Sequence, residues 1–194
     1  MTELNGSKSR RSVLSGGGAV LSATGMLALL NTSAGAAGTT GKSGNAAQDA
    51  QLLNAALSLE YEGIAAYQIG AESKLLTPGV LKVAVTFQGH HKQHRDDLTA
   101  AIRRLGGTPV KAKSQQDYAQ ELDTTSLKDQ AGVLRLALKL ERGATNAYLG
   151  LIPSLDQSDL YVFAARTAAD ESFHAAVLGQ VLGEAIPQKA PMFG

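Results

Sequence analysis

The chain carries one set of polar residues twice, about eighty positions apart. Each copy has a glutamate, a tyrosine seven residues later and, on a following segment, two ionisable residues three positions apart. The glutamates and the tyrosines repeat at an offset of 81 residues, and the later pairs repeat at an offset of 80. Such a repeat predicts two similar halves that pack together and bring both polar sets into one core. The copies are Glu60, Tyr67, His91 and His94, and Glu141, Tyr148, Glu171 and His174.

Around each polar residue, apolar and small side chains recur at steps of three and four, as they do on one face of a helix. This pattern predicts four long helices, with stops supplied by Pro78, Gly106-Gly107 and Pro153. No segment has a convincing strand pattern, so the expected fold class is all-α, a four-helix bundle. The predicted helices cover about residues 46–74, 80–105, 126–151 and 158–183.

The connection between the second and third helices is long and polar. It covers residues 107–125, with a short helix predicted at 115–122. A connection of this size favours a crossover between two halves of a bundle over a tight turn. After it, Ser126 is the predicted N-cap of the third helix, and Ser158 or Asp159 is the predicted N-cap of the fourth.

On each predicted helix, the residues at steps of three and four form an apolar stripe that faces the core. The ionisable residues of the repeat lie within these stripes. Residues three apart on a helix project to the same side, so each later pair can hold metal ions from one face. Ionisable side chains are costly to bury unless they are paired or bind a cation. We therefore predict a dinuclear metal site in the bundle core; the alternative is a set of buried salt bridges without metal. The candidate ligands are Glu60, His91, His94, Glu141, Glu171 and His174.

Composition narrows the chemistry that this core can hold. The chain has no cysteine, which excludes disulfides, thiolate metal sites and cysteine nucleophiles. Oxygen and imidazole ligands suit hard or borderline ions, so the expected cofactor is two transition-metal ions, iron or manganese, with zinc as an alternative. The formal net charge is +1, and residues 1–36 hold three basic residues against one acidic, which leaves −1 for the remainder. No basic run survives there, so nucleic acid is not an expected partner.

The N-terminus has the three regions of an export leader. Arg10-Arg11 is followed by a weakly apolar stretch and then by the small-residue site Ala34-Gly35-Ala36. The apolar stretch is short and interrupted by glycines, so we predict a removable twin-arginine leader and no stable membrane span after cleavage. The alternative is a disordered tail with an accidental Arg-Arg. The expected partner is the twin-arginine export machinery, and the expected location is periplasmic or extracellular. The predicted segments are residues 1–36 (leader), 37–46 (flexible linker), 47–185 (bundle) and 186–194 (C-terminal tail).

Several polar residues lie close to the stripes without being on them. Glu62 is about 200° round the helix from the first glutamate and is predicted to face solvent or a neighbouring molecule. His90 is predicted to be a surface or boundary residue, and Asp97 and Asp170 are candidates to accept hydrogen bonds from ligand imidazoles. The two tyrosines of the repeat are predicted core aromatics whose hydroxyls need a partner, with bonding to the ligand carboxylates as an alternative.

Together these features resemble the ferritin-like superfamily, and specifically its exported members with twin-arginine leaders. The resemblance covers about residues 46–185, and it rests on Glu60, the Phe87–Pro109 segment, Glu141 and the sequence Glu171-Ser-Phe-His174. The family pattern is a glutamate on helices one and three, and Glu-x-x-His on helices two and four. The resemblance implies a ferritin-like four-helix bundle with a long crossover between helices 2 and 3. It also implies metal-ligand roles for Glu60, His94, Glu141, Glu171 and His174.

His91 departs from the family pattern. It stands where the family has a glutamate that usually bridges the two metals. Imidazole cannot bridge two ions as a carboxylate does, so the departure predicts a change from the usual symmetric di-iron geometry. The fold expectation is independent of this change, whereas the expected activity depends on it.

The resemblance implies redox work on a small oxidant, either oxygen or peroxide. The expected function is thus an exported metal-binding protein, ferroxidase-like or manganese-catalase-like if it is an enzyme. The alternative is a non-enzymatic ferritin-like bundle, for stress protection or binding, with an incomplete or empty metal site. Assembly into a homo-oligomer is left open by the sequence.

Overall fold

The computed structural model describes residues 45–190 and Phe193. The predicted leader and residues 37–44 of the predicted linker lie outside this part of the chain. Within it, all regular secondary structure is helical, and two single 3₁₀ turns occur at Thr124–Ser126 and Ile152–Ser154. The prediction of an all-α bundle with four long helices and a long crossover is confirmed. The helices are α1 (Ala46–Glu72), α2 (Pro78–Arg104), α3 (Gln115–Glu121), α4 (Gln130–Leu151) and α5 (Ser158–Val181).

The helices of the bundle form two hairpins that face each other. Helices α1 and α2 form one hairpin, and α4 and α5 form the other. Across the bundle, Tyr67 contacts Glu141 while Tyr148 contacts Glu60, so α1 and α4 run antiparallel. Helix α3 lies within the crossover that joins the hairpins. None of the helices in residues 45–190 is long and apolar enough to span a membrane.

Both predicted N-caps of the second hairpin are wrong, one because of a local cap and the other because of a distant residue. Ser126 lies in a 3₁₀ turn, and α4 starts later because the carboxylate of Asp129 accepts a hydrogen bond from the backbone N–H of Gly132 at 2.7 Å. Helix α5 begins at Ser158 with Gln157 as its N-cap. The buried carboxylate of Asp49, on α1, accepts from the N–H groups of residues 156 and 157 at 2.9 and 3.0 Å. A residue distant in sequence thus accepts hydrogen bonds from the backbone N–H groups just before α5.

Two apolar clusters fill the bundle, one towards each end. The first contains Leu53, Leu98 and Leu160, and the second contains Phe87, Leu138 and Leu178. The six candidate ligands lie between these sequence positions on all four long helices. The apolar clusters therefore enclose the polar layer from both ends, which keeps it away from bulk water.

The crossover covers a part of α1 that the sequence predicted to be exposed. Glu62 is only 8% exposed, so the prediction that it faces solvent or a neighbouring molecule is wrong. Helix α3 packs on this side of the bundle through Tyr118 and Leu122, against Ala65 of α1. Burial, followed by the charge of Glu121, raises the pKa of Glu62 to about 7.

We predict that Glu62→Gln stabilises the protein at pH 8 but not at pH 5. The folded pKa is raised, so the protonated side chain is favoured in the fold at low pH, and this contribution is lost as the pH rises through about 7. The gain at pH 8 should be about 2 kcal/mol, since part of the shift is screened by water. Urea unfolding of both proteins at the two pH values measures it.

The matched control is Glu184→Gln, which removes an exposed ion pair with Arg142. This variant should change stability by a similar small amount at both pH values. A Glu62→Gln variant with the same stability change at pH 5 and pH 8 would contradict the burial of a titrating carboxylate under α3.

Candidate metal centre

The structure brings all six predicted ligands together in the middle of the bundle. Each is buried, with an exposed fraction of 6% or less. Helices α1 and α4 contribute one glutamate each, while α2 and α5 contribute a pair each. Their donor atoms form two groups of four, and within each group the atoms lie within 4.8 Å of one another. The groups share His91 and Glu171: one is Glu60, His91, His94 and Glu171, and the other is His91, Glu141, Glu171 and His174.

In the first group, two imidazole nitrogens face two carboxylate oxygens. His91 Nδ1 is 2.8 Å from Glu60 Oε2 and 3.6 Å from Glu171 Oε1. His94 Nδ1 is 3.7 Å and 3.1 Å from the same two oxygens. These separations bring four donor atoms around one small volume, as a four-coordinate ion requires.

The second group is arranged around the other oxygen of Glu171. His174 Nδ1 is 3.1 Å from Glu171 Oε2 and 3.4 Å from Glu141 Oε2. The opposite nitrogen of His91, Nε2, is 3.2 Å from Glu141 Oε1. Glu171 thus presents one oxygen to each group, which is the arrangement of a bridging carboxylate.

The two tyrosines of the repeat hold the glutamates of the opposite half. The hydroxyl of Tyr67 on α1 donates to Glu141 Oε1 on α4. The hydroxyl of Tyr148 on α4 donates to Glu60 Oε1 on α1 at 2.5 Å. This crossed pairing fixes the rotamer of each carboxylate and leaves its second oxygen directed at the imidazoles.

Gly63 makes room for the imidazole of His91. A Cβ at this position would lie 3.1 Å from His91 Cε1 and 3.2 Å from His91 Nδ1. The equivalent residue of the second copy, 81 positions later, is Ala144. The half with the larger ligand therefore has the smaller neighbour, and the absence of a side chain at residue 63 lets the His91 ring stand between the two glutamates.

Two polar residues that are not among the six candidate ligands contact candidate ligand histidines. Asp170, whose side chain is 61% exposed, places Oδ2 3.2 Å from His94 Nε2, as the sequence predicted for a residue of this kind. His90 is exposed, as predicted, yet its Nδ1 also lies 2.9 Å from His174 Nε2. The sequence offered a weak signal for that contact, since His90 is one turn before His94 and thus close to the stripe. Asp97 is exposed, and its predicted contact with an imidazole is not formed.

Electrostatics within the cluster favour charge separation between carboxylates and imidazoles. Burial opposes ionisation of Glu60, but hydrogen bonds and charges from His91 and His94 outweigh it and lower its pKa to about 2. Burial likewise opposes protonation of His94, but the carboxylates around it raise its pKa to about 10. Glu171 is the exception, because burial dominates there and raises its pKa, which favours the protonated carboxyl. Without a cation, protons on the imidazoles balance the carboxylate charges.

The donor set fits a divalent transition metal. In the part of the chain that the structure describes, no lysine or arginine pairs with the three ligand carboxylates, whose ionic partners are the three histidines. Carboxylate oxygen and imidazole nitrogen are the usual ligands of iron, manganese and zinc. The buried His/Glu clusters can therefore hold a metal ion, as expected from the sequence.

Comparison with known proteins identifies the family. The sequence model of the ferritin-like domain matches residues 48–184, which is well over half of the chain. The chain belongs to the ferritin-like family. The two-hairpin bundle with its central Glu/His layer is consistent with this membership, and the resemblance seen in the sequence is confirmed at the level of the superfamily.

A solved structure has a similar fold. The structure of a conserved hypothetical protein, rv2844, from Mycobacterium tuberculosis is similar to this chain, with 25% sequence identity and a TM-score of 0.62. The similarity covers 69% of this chain and 96% of that chain. Among curated proteins, no sequence matches significantly. These comparisons support the fold.

We predict that Tyr67→Phe and Tyr148→Phe each lower the free energy of unfolding by about 1.5–3 kcal/mol. Each change removes the hydroxyl donor from a buried carboxylate oxygen, Glu141 Oε1 or Glu60 Oε1. Glu141 Oε1 still has His91 Nε2 at 3.2 Å after Tyr67→Phe, so the loss at Tyr67 should be the smaller of the two. Urea denaturation measures them.

Tyr161→Phe is the matched control. Its hydroxyl donates to the neutral backbone carbonyl of Leu155 at 3.0 Å, so its removal should cost about 1 kcal/mol or less. Losses at Tyr67 and Tyr148 no larger than at Tyr161 would show that these hydroxyls do not support the ligand carboxylates.

Proposed function

We propose that this chain is an exported ferritin-like protein with a dinuclear iron or manganese centre that performs redox chemistry on oxygen or peroxide. The observation that carries the proposal is the convergence of three carboxylates and three imidazoles in one buried layer. Such a layer is costly to bury, and two divalent ions would more than balance its three negative charges when the imidazoles are uncharged, leaving one positive charge. Zinc is the alternative ion for the same ligands.

The residues of the chain would hold the ions, orient the ligands and limit access. Glu60, Glu141 and the pairs on α2 and α5 would hold the metal, and the crossed tyrosines would fix the carboxylates. Bound iron or manganese would supply electron transfer with a small oxidant. The apolar clusters on both sides would exclude bulk water and larger molecules.

Exposed side chains support access from solvent to the Glu/His layer on the side where α2 faces α5. There, the exposed side chains of His90 and Asp170 contact the ligand histidines His174 and His94. On the side of α1 and α4, by contrast, the hydroxyls that contact the ligands belong to buried tyrosines. A small oxidant, rather than a bulky substrate, suits a layer enclosed in this way.

A second candidate function is a ferritin-like bundle that acts without a redox metal. The observation that favours it is His91 itself, which hydrogen-bonds to Glu60 and lies within bonding distance of Glu141. In residues 45–190, every buried side-chain nitrogen and oxygen has a hydrogen-bond partner, so the layer is satisfied by its own members. Metal content distinguishes the two candidates.

We predict that the exported protein contains about two transition-metal ions per chain and that Glu171→Gln abolishes both. Glu171 belongs to both donor groups, and glutamine retains the shape of the side chain while it removes the charge. Elemental analysis by plasma mass spectrometry measures the content, and circular dichroism checks that the variant is helical. Glu121→Gln, on the exposed surface of α3, is the control and should retain the metal. Wild-type protein without bound transition metal would exclude the redox centre and favour the second candidate, a bundle that acts without a redox metal.

We propose export on the basis of Arg10-Arg11 and the apolar stretch that follows. Replacing both arginines by lysine in the full chain should retain the protein in the cytoplasm, measured by cell fractionation. The chain offers a matched control in Arg103-Arg104, an exposed pair near the end of α2. Its replacement by two lysines should leave export unchanged. Equal export of both variants would exclude a twin-arginine leader.

A further inference from the structure

The two metal positions are made unequal by the chemistry of one shared ligand. A neutral imidazole has one nitrogen with a free lone pair and one that carries a hydrogen. Neutral His91 can therefore ligate one ion only, although its two nitrogens face different donor groups. The surrounding hydrogen bonds determine which group receives the lone pair.

The oxygens of Glu60 and Glu141 differ in whether they face a tyrosine hydroxyl, an imidazole nitrogen or both. Glu60 Oε1 and Glu141 Oε1 each accept a tyrosine hydroxyl. At Glu60 the nitrogens of His91 and His94 face the other oxygen, Oε2. At Glu141, however, His91 faces Oε1, the oxygen that accepts from Tyr67. His91 thus meets a ligand oxygen on one side and a hydrogen-bonded oxygen on the other.

All three ligand histidines share one orientation. Their Nδ1 atoms face ligand oxygens of the cluster. Their Nε2 atoms face Asp170 Oδ2 at 3.2 Å (His94), His90 Nδ1 at 2.9 Å (His174) and Glu141 Oε1 at 3.2 Å (His91). The first two partners lie outside the donor groups, and the third is the oxygen that accepts from Tyr67. A ligand histidine normally donates its second N–H to such a partner, which fixes the tautomer. The common assignment is coordination through Nδ1 and donation from Nε2–H.

We infer that His91 belongs to the Glu60 position, which has four protein ligands, and that the Glu141 position has three and an open coordination place. This inference rests on the proposed metal site and deepens it. The first position is Glu60, His91, His94 and Glu171, and the second is Glu141, Glu171 and His174. Sites closed by four protein ligands retain their metal for structure, and sites with three leave a place for water or substrate. The open position is thus the one that takes the small oxidant.

The test is a titration of metal-free, full-length protein with Co²⁺, followed by calorimetry and visible absorption. Wild-type protein should bind two ions in two classes, the tighter by at least about tenfold. Azide should change the spectrum only after the second equivalent has bound, because only the Glu141 position has an open place. Two ions of equal affinity, or an azide response at the first equivalent, would overturn the inference.

Paired variants assign the classes to residues. His94→Ala should remove the tighter class, and His174→Ala should remove the weaker class together with the azide response. Gly63→Ala should weaken the tighter class by about tenfold, because its Cβ meets the His91 ring at 3.1–3.4 Å. Gly143→Ala, where a Cβ meets no heavy atom within 4 Å, is the control and should change neither class. Weakening of the other class by Gly63→Ala would assign His91 to Glu141 and overturn the inference.

The outcomes separate this inference from the proposed function. A chain that binds no Co²⁺ at all fails as a metal protein, whatever the ranking of its positions. A single ion that is lost in His94→Ala and kept in His174→Ala supports the four-ligand position and contradicts the dinuclear centre. Two ions with reversed assignments keep the dinuclear centre and refute the role given to His91.

Discussion

The structure depends on the neutralisation of three buried carboxylates in the middle of the bundle. Glu60, Glu141 and Glu171 are nearly inaccessible to water, and their ionic partners in the described part of the chain are histidines. Buried charge of this kind is tolerated only where protons or cations balance it and hydrogen bonds satisfy the oxygens. The apolar clusters at both ends, the crossed tyrosines and the paired ligands on α2 and α5 all serve this one layer.

The internal repeat satisfies this constraint by giving each half a tyrosine for the other half's glutamate. Because Tyr67 reaches Glu141 and Tyr148 reaches Glu60, neither hairpin completes its own ligand set. The polar contacts therefore favour one register of the two hairpins and disfavour others. The symmetry is broken at one pair of positions, where His91 stands opposite Glu171. Gly63 accompanies the larger ring, so the difference is accommodated by local packing.

The sequence predicted what depends on helical periodicity and missed what depends on distant packing. The stripes placed Glu60, His91 and the other candidates on inward faces because steps of three and four follow directly from helix geometry. The exposure of Glu62 was predicted wrongly because α3, the helix that covers it, lies more than fifty residues later in the sequence. The start of α5 was missed for the same reason, since Asp49 satisfies it from another helix. The contact of His90 with His174 also joins two helices, and no pattern within α2 alone specifies it.

The asymmetry between His91 and Glu171 bears on how such a centre would work. A bridging carboxylate serves both ions equally, whereas a neutral imidazole serves one and offers the other only a hydrogen-bonded neighbour. The proposed position with three protein ligands includes His174, which contacts the exposed ring of His90. Glu141 accepts from the hydroxyl of Tyr67 and lies 3.2 Å from His91 Nε2. In the proposed centre, the position with three protein ligands would thus lie next to solvent-exposed His90, and the position with four would hold α1, α2 and α5 together.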